Sequence, residues 1–311
     1  MVRSSHTIQH RKTSQIQKGP DPLPIDMVLR NAKIVLENEI VTGAVSIRDG
    51  KIADISQGAT ATGDDFEGDY LLPGIVELHT DHLETHYAPR PNLRWNLKAA
   101  IQSHDAQIAA SGITTVFDCL RMGTGSSDDF EDGEMRKMAD ALSEAGRENR
   151  LRAEHFIHLR CEVSSANVVQ QFEAFDGVRE VRLASLMDHA PGQRQFQTMD
   201  QYTLYYKTKR GLTDEQFEIF VRERKAQSDK YSAPHRKTLA KACNDRGISM
   251  ASHDDATLEH VEESIAFGVR LAEFPTSIEA AQASHDAGLS VLMGAPNIVR
   301  GQSHSGNIAA K

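Results

Sequence analysis

From residue 70 onward the chain repeats one pattern: a short apolar run, a polar turn, then a longer stretch with helical spacing. The apolar runs fall at 71–79, 113–118 (ITTVFD), 154–161 (EHFIHLRC), 181–188 (VRLASLMD), 247–253, 270–274 (RLAEF) and 289–294 (LSVLMG). Runs this short, bounded by turn residues, read as strands buried on both faces. The stretches at 97–111, 132–148, 164–175, 214–244, 256–267 and 277–287 read as helices between them. Strand alternating with helix is the pattern of a parallel sheet covered by helices. With 311 residues, one barrel and a small appendage fit. The expected class is therefore α/β, a TIM-type (β/α) barrel. A closed barrel of this type has eight units. Seven are counted here before the sequence stops at Lys311, so the expectation over 71–311 is a barrel lacking its eighth unit.

Residues 27–70 follow a different rule. MVLRNAKIVLENEIVTGAVSIRDGKIADIS alternates apolar and polar side chains, with turn signals at Glu37-Asn38 and Asp49-Gly50. Asp-Gly between alternating segments is a hairpin signature. A small antiparallel sheet is expected here, as a β-sandwich type of appendage. Residues 1–26 are polar and basic, ending in PDPLP, and are expected to be a disordered extension. The segments 123–134 and 191–196 read as loops.

Composition removes several function classes. No apolar run approaches the ~20 residues of a membrane span, and the N-terminus has no signal-peptide core. There are 3 cysteines, an odd number with no CxxC spacing, so neither a disulfide framework nor a zinc knuckle is expected. A reducing cytoplasm fits that usage. A net charge of −9 argues against nucleic acid as a partner. A small anionic substrate is still allowed, because a few local arginines outweigh a diffuse acidic surface.

The chemistry collects at strand ends. The first barrel run, in LPGIVELHTDHLE (72–84), closes on His79, Asp81, His82 and Glu84. In a strand, residues i and i+2 share a side, so His79 and Asp81 are expected to project together. Asp118 ends the second run, Arg160 and Glu162 the third, Asp188 and His189 the fourth, and His253, Asp254 and Asp255 the fifth; Glu273 lies near the end of the sixth. Polar residues follow strands in any protein because loops are polar. Here, however, three of the ends pair a histidine with a carboxylate, and such ends form the active face of a β/α barrel. A divalent metal site is expected. Imidazole with carboxylate suits Zn, with Mn or Fe as alternatives, as one or two ions. His104 and His285 fall on predicted helices and are expected to be structural or exposed.

The longer motifs carry a resemblance. DGKIADI (49–55), LPGIVELHTDH, HTDHLE, APRP (88–91), SHDAQIAASGITTVFD (103–118), HLRCE (158–162), SLMDHAPGQRQF (185–196), ASHDDAT (251–257), AEFPT (272–276) and MGAPNIVRGQSHSGN (293–307) resemble the amidohydrolase superfamily. Among its branches they are most similar to one that acts on a phosphorylated sugar phosphonate in bacterial phosphonate catabolism. The resemblance implies a metal held by His79, Asp81, Glu162, His189 and His253. It also implies hydrolysis of a triphosphate arm with release of pyrophosphate. Arg160, Arg194 and Arg300 are candidates to grip the phosphates, because guanidinium matches phosphate in a two-pronged fashion. Ser303 and His304, with Gly301, Ser305 and Gly306, form a polar loop suited to wrapping a phosphate. Superfamily members usually place a general-base aspartate at the end of strand eight. The sequence stops before that point, which leaves Asp254 or Asp255 as candidate bases and predicts a weakly active or inactive chain. A cyclic amide, imide or amidine hydrolase and a non-catalytic paralogue are the competing readings. A homodimer is compatible with any of them.

Overall fold

The computed structural model describes residues 26–123, 130–131, 133–195, 199, 202–203, 206–207, 211–301 and 307–308. The predicted extension at 1–26 falls almost wholly outside them, as do Ser303, His304, Ser305 and Gly306. The chain separates into two compact units, one running to Gly74 and one starting at Ile75.

The first unit is a five-stranded sheet of β1 (Met27–Val35), β2 (Ile40–Arg48), β3 (Lys51–Gln57), β4 (Asp64–Asp65) and β5 (Tyr70–Leu71). β1 pairs with β2 and β2 with β3 in antiparallel fashion. The β2–β3 turn is the Asp-Gly signal: Asp49 and Gly50 both have positive φ, 50° and 70°, which a type I′ hairpin requires. Alternation puts Ala32, Ile34, Val41 and Val45 into one small core. The expected antiparallel sheet is extended by β4 and β5, which run parallel to β1. After β3 the chain crosses to the open edge of β1, and a crossover delivers a strand in the same sense.

Among its described residues the second unit carries seven parallel strands paired in chain order: β6 (Ile75–Thr80), β7 (Ile113–Met122), β8 (Glu154–Glu162), β9 (Val181–Met187), β10 (Ser249–His253), β11 (Leu271–Glu273) and β12 (Ser290–Leu292). The helices Leu97–Ala110, Glu134–Arg147, Val168–Glu173, Asp214–Arg246, Leu258–Ala266 and Ile278–Asp286 intervene. One face of the sheet buries Leu120, Ile157, Leu159, Leu186 and Met250 in a core shared with helix residues Met138, Leu142, Phe172 and Leu239. The other face carries the polar strand residues described below. The helix Asp214–Arg246 begins at a capping box, Thr213 with Gln216, and ends at Gly247 with φ 67°, a left-handed stop that suits glycine. No helix among the described residues is long and apolar enough to cross a membrane.

Three boundaries differ from the sequence reading. The apolar run at 71–79 is two strands, because Pro73 and Gly74 break it: Tyr70–Leu71 pairs with β1 and the barrel strand starts at Ile75. Ile75 and Val76, expected to be buried, are 55% and 54% exposed. β7 runs to Met122 rather than Asp118, held by pairing with β8 as far as Met122 opposite Cys161. Finally, Ala295–Arg300, past the last predicted strand, is a helix. Proline in its first turn and Gly301 just past its end are helix start and stop signals.

Candidate active site

Strand alternation decides which side chains face the barrel interior. On β8, His158, Arg160 and Glu162 share one face while His155 and Ile157 take the other. Three of the predicted ligands come together. The ring centroids of His79 and His253 lie 5.5 Å apart, as do those of His189 and His253. Asp254 places its Oδ2 3.4 Å from His253 Nε2 and 3.8 Å from His189 Nε2. That oxygen is buried and has no hydrogen-bond partner among the described residues. An orphaned buried carboxylate oxygen is costly unless something binds it. Two ligand atoms at about 2.1 Å from a tetrahedral ion stand about 3.4 Å apart, so these separations suit a shared divalent ion better than hydrogen bonds. Asp254 itself sits at φ 57°, a strained setting for a non-glycine residue. A second group, His79, His253 and Glu273, adjoins the first through His253.

Carboxylates behind the histidines orient them. Glu162 accepts a 2.6 Å hydrogen bond from His189 Nδ1, another of 2.6 Å from the Ser164 hydroxyl and one of 3.1 Å from the His189 amide. Burial alone would raise its pKa, but the His189 imidazole and these bonds pull it down to about 2. Glu162 therefore aims His189, leaving Nε2 toward Asp254, a common arrangement behind a metal-binding imidazole. Glu273, fully buried, puts Oε2 3.3 Å from His79 Nδ1 and 3.2 Å from His253 Nδ1. The Ser185 hydroxyl donates to the same carboxylate at 2.6 Å and also meets His158 Nε2. Glu273 entered the sequence reading only as a strand-end residue. Its role depends on the register of β10 against β11, which sets His253 opposite Glu273.

Other predicted site residues are held in ion pairs or hydrogen bonds or lie at the surface. Asp81 is past the end of β6, so the i, i+2 rule no longer applies. Both of its carboxylate oxygens accept from Arg160 Nη1, at 2.8 and 2.9 Å. Beside this pair, Arg121 makes a two-pronged bond to Glu84, with Nε at 3.0 Å and Nη2 at 2.8 Å. Arg194 is buried and pairs with Asp255 and Glu263. Burial and the neighbouring Arg236 pull its pKa down to about 9. Asp255 is buried too, and also accepts from Ser264 at 2.9 Å. Arg194, expected as a phosphate contact, and Asp255, expected as a base, face each other inside the protein. Arg300 is exposed in the last turn of its helix. Asp188 faces the long helix, accepting from Ser228 at 2.8 Å and Ser232 at 2.6 Å. Asp118, read as a strand end, lies mid-strand on the helix-facing side, bonded to His104 at 2.6 Å and His155 at 2.7 Å. His104 is structural in that network, and His285 is 77% exposed.

The buried acid–base groups set a pH limit. His158 is fully buried, and burial drags its pKa from 6.5 to about 4. The unfolded chain takes up this proton below about 6.5 while the native state resists until about 4, so stability is lost as pH falls through that window. The loss from this group is at most roughly 3 kcal/mol. Glu162 is depressed from 4.5 to about 2; its stabilisation, present above about 4.5, is lost as pH falls toward 2. Urea midpoints at pH 7 and pH 5 should differ in the wild type. In His158→Gln the difference should shrink; an unchanged difference would assign the sensitivity to other groups.

No family model matches the chain. Among curated proteins it is 46% identical over 291 residues to alpha-D-ribose 1-methylphosphonate 5-triphosphate diphosphatase of Escherichia coli strain K12, covering 91% of this chain and 76% of that protein. A D-hydantoinase of Rhizobium radiobacter is 32% identical over 107 residues, covering 33% of this chain and 22% of that one. Among solved structures, 5-methylcytosine deaminase from Klebsiella pneumoniae superposes with a TM-score of 0.53 at 14% identity. That match covers 85% of this chain and 65% of the deaminase, just under two thirds of its length. At such identity it speaks for the fold alone, a TIM-like barrel with a separate small sheet. Identity and coverage with the Escherichia coli protein go further: this chain is a hydrolase and belongs to the alpha-D-ribose 1-methylphosphonate 5-triphosphate diphosphatase family.

Proposed function

We propose that the chain hydrolyses alpha-D-ribose 1-methylphosphonate 5-triphosphate to the 5-phosphate and pyrophosphate, as a divalent-metal-dependent enzyme of phosphonate catabolism. The observation that carries this reading is the 46% identity over 91% of the chain to the Escherichia coli diphosphatase. The site suits it chemically. His79, His189, His253 and Asp254 would hold the ion, Zn or alternatively Mn or Fe, as one or two ions. When bound, such an ion supplies Lewis acidity, acidifying water and drawing charge from a phosphoryl oxygen.

The chain's own groups do the rest. Glu162 fixes the His189 ring, and Glu273 lies against Nδ1 of both His79 and His253. Asp254 is the carboxylate placed to accept a proton at Oδ2 or to bind the ion, whereas Asp255 is occupied by Arg194. Arg160, two residues before Glu162 on the same face of β8, brings fixed positive charge to the developing phosphoryl charge. The reading places the enzyme in the cytoplasm, supported by three free buried cysteines.

The test is pyrophosphate release from the triphosphate by the full chain, with and without added Zn or Mn. Arg160→Ala is expected to lower kcat/KM by ~10²-fold, since an unneutralised charge in such a site costs several kcal/mol. Turnover of a cyclic imide with no pyrophosphate from the triphosphate would overturn the proposal in favour of amide or imide chemistry.

A further inference from the structure

β7 and β8 pair so that Arg121 stands directly opposite Arg160. Neighbouring residues on parallel strands point to the same side. Arg160 therefore has a second guanidinium as its cross-strand neighbour. Two like charges in that position are unfavourable by themselves, and the chain sets a carboxylate against each: Asp81 on Arg160 and Glu84 on Arg121. Both carboxylates come from the short segment that leaves β6 two to five residues after His79. The fork is thus bound to the histidine cluster on two sides. On one side is His79 with Asp81; on the other is β8, where Arg160 lies between His158 and Glu162 on a single face.

We propose that Arg121 and Arg160 form an anion fork that takes the pyrophosphate end of the triphosphate, with Asp81 and Glu84 as counter-ions that the incoming phosphates displace. Four observations support it. Arg121 already presents Nε and Nη2 together, the two-pronged edge that matches a phosphate as well as a carboxylate. Its guanidinium lies over the Phe130 ring, 5.1 Å from the centroid, which fixes the plane of the fork. Arg160 Nε is buried with no hydrogen-bond partner among the described residues, a donor left to be satisfied. Asp81 is 48% and Arg121 33% exposed while Arg160 and Glu84 are mostly buried, so one arm of each pair is reachable from solvent.

The identity of the anion rests on the diphosphatase reading, but binding can be tested apart from turnover. Sodium pyrophosphate is titrated calorimetrically into the full chain at matched metal content, with thermal midpoints recorded for every variant. Arg121→Gln and Glu84→Gln remove the same ion pair. If the pair only braces the fold, both should shift pyrophosphate affinity in one direction or not at all, and the proposal falls. For a fork the signs are opposite: Arg121→Gln weakens binding by ~10-fold or more, as expected for a lost charge-assisted bond. Glu84→Gln, freeing Arg121, tightens it several-fold. Arg121→Lys keeps the charge but loses the fork, and is expected to recover only part of the affinity. A lysine variant equal to wild type would reduce the effect to long-range charge and overturn the fork. Pyrophosphate binding with these signs but no triphosphate hydrolysis would leave the fork standing and count against the diphosphatase reading instead.

Discussion

His253→Ala is expected to lose bound metal and to lower pyrophosphate release by ~10³-fold or more, since it removes both a ligand and the Lewis acid it holds. His253 is singled out because it belongs to two of the candidate groups, His79–His253–Glu273 and His189–His253–Asp254. His189→Ala breaks only one of them and should retain more metal. Metal content of the purified chains, read by elemental analysis, checks the order independently of activity. His285→Ala, an exposed histidine on the helix Ile278–Asp286, is the control and should change neither quantity. Equal metal content in wild type and His253→Ala would move the site away from these strand ends.

The largest stability effect is expected at Arg194 and Asp255. Each is almost completely buried and each faces the other. Taking away one partner strands the other charge in the interior, at about 3–5 kcal/mol. Arg194→Ala and Asp255→Ala should therefore each lower the urea midpoint strongly. The double change to Met and Leu, which removes both charges and keeps volume, should recover most of the loss. Glu263, which also touches Arg194, limits the penalty of Asp255→Ala and makes it the milder of the two. A phosphate-binding role predicts the reverse for Arg194→Ala: a raised KM with the midpoint unchanged. Denaturation and kinetics on the same preparation separate these outcomes.

The sequence by itself determined the barrel units and the places where histidines could meet. Its apolar runs are long enough for strands and too short for helices. In parallel neighbours the residues at equivalent strand ends must share a mouth, so His79, His189 and His253 were legible one strand at a time. The Asp49-Gly50 hairpin was legible for the same reason, because its signal is local. Tertiary structure alone decided which charges meet. Asp81 lies just past the end of β6 at Thr80, and Arg160 pairs with it from a strand 79 residues away. Asp118 turns out to face the helices because β7 continues to Met122 on the strength of its pairing with β8. Glu273 gains its position behind two histidines from the register of β10 against β11. Arg194 is claimed by Asp255 and by Glu263, 69 residues further on, when the helix Leu258–Ala266 packs against its loop. Side-chain periodicity is a property of a few neighbouring residues and can be read from them. The partner of a buried charge is set by strand register and helix return, which join residues far apart in the chain and exist only once it has folded.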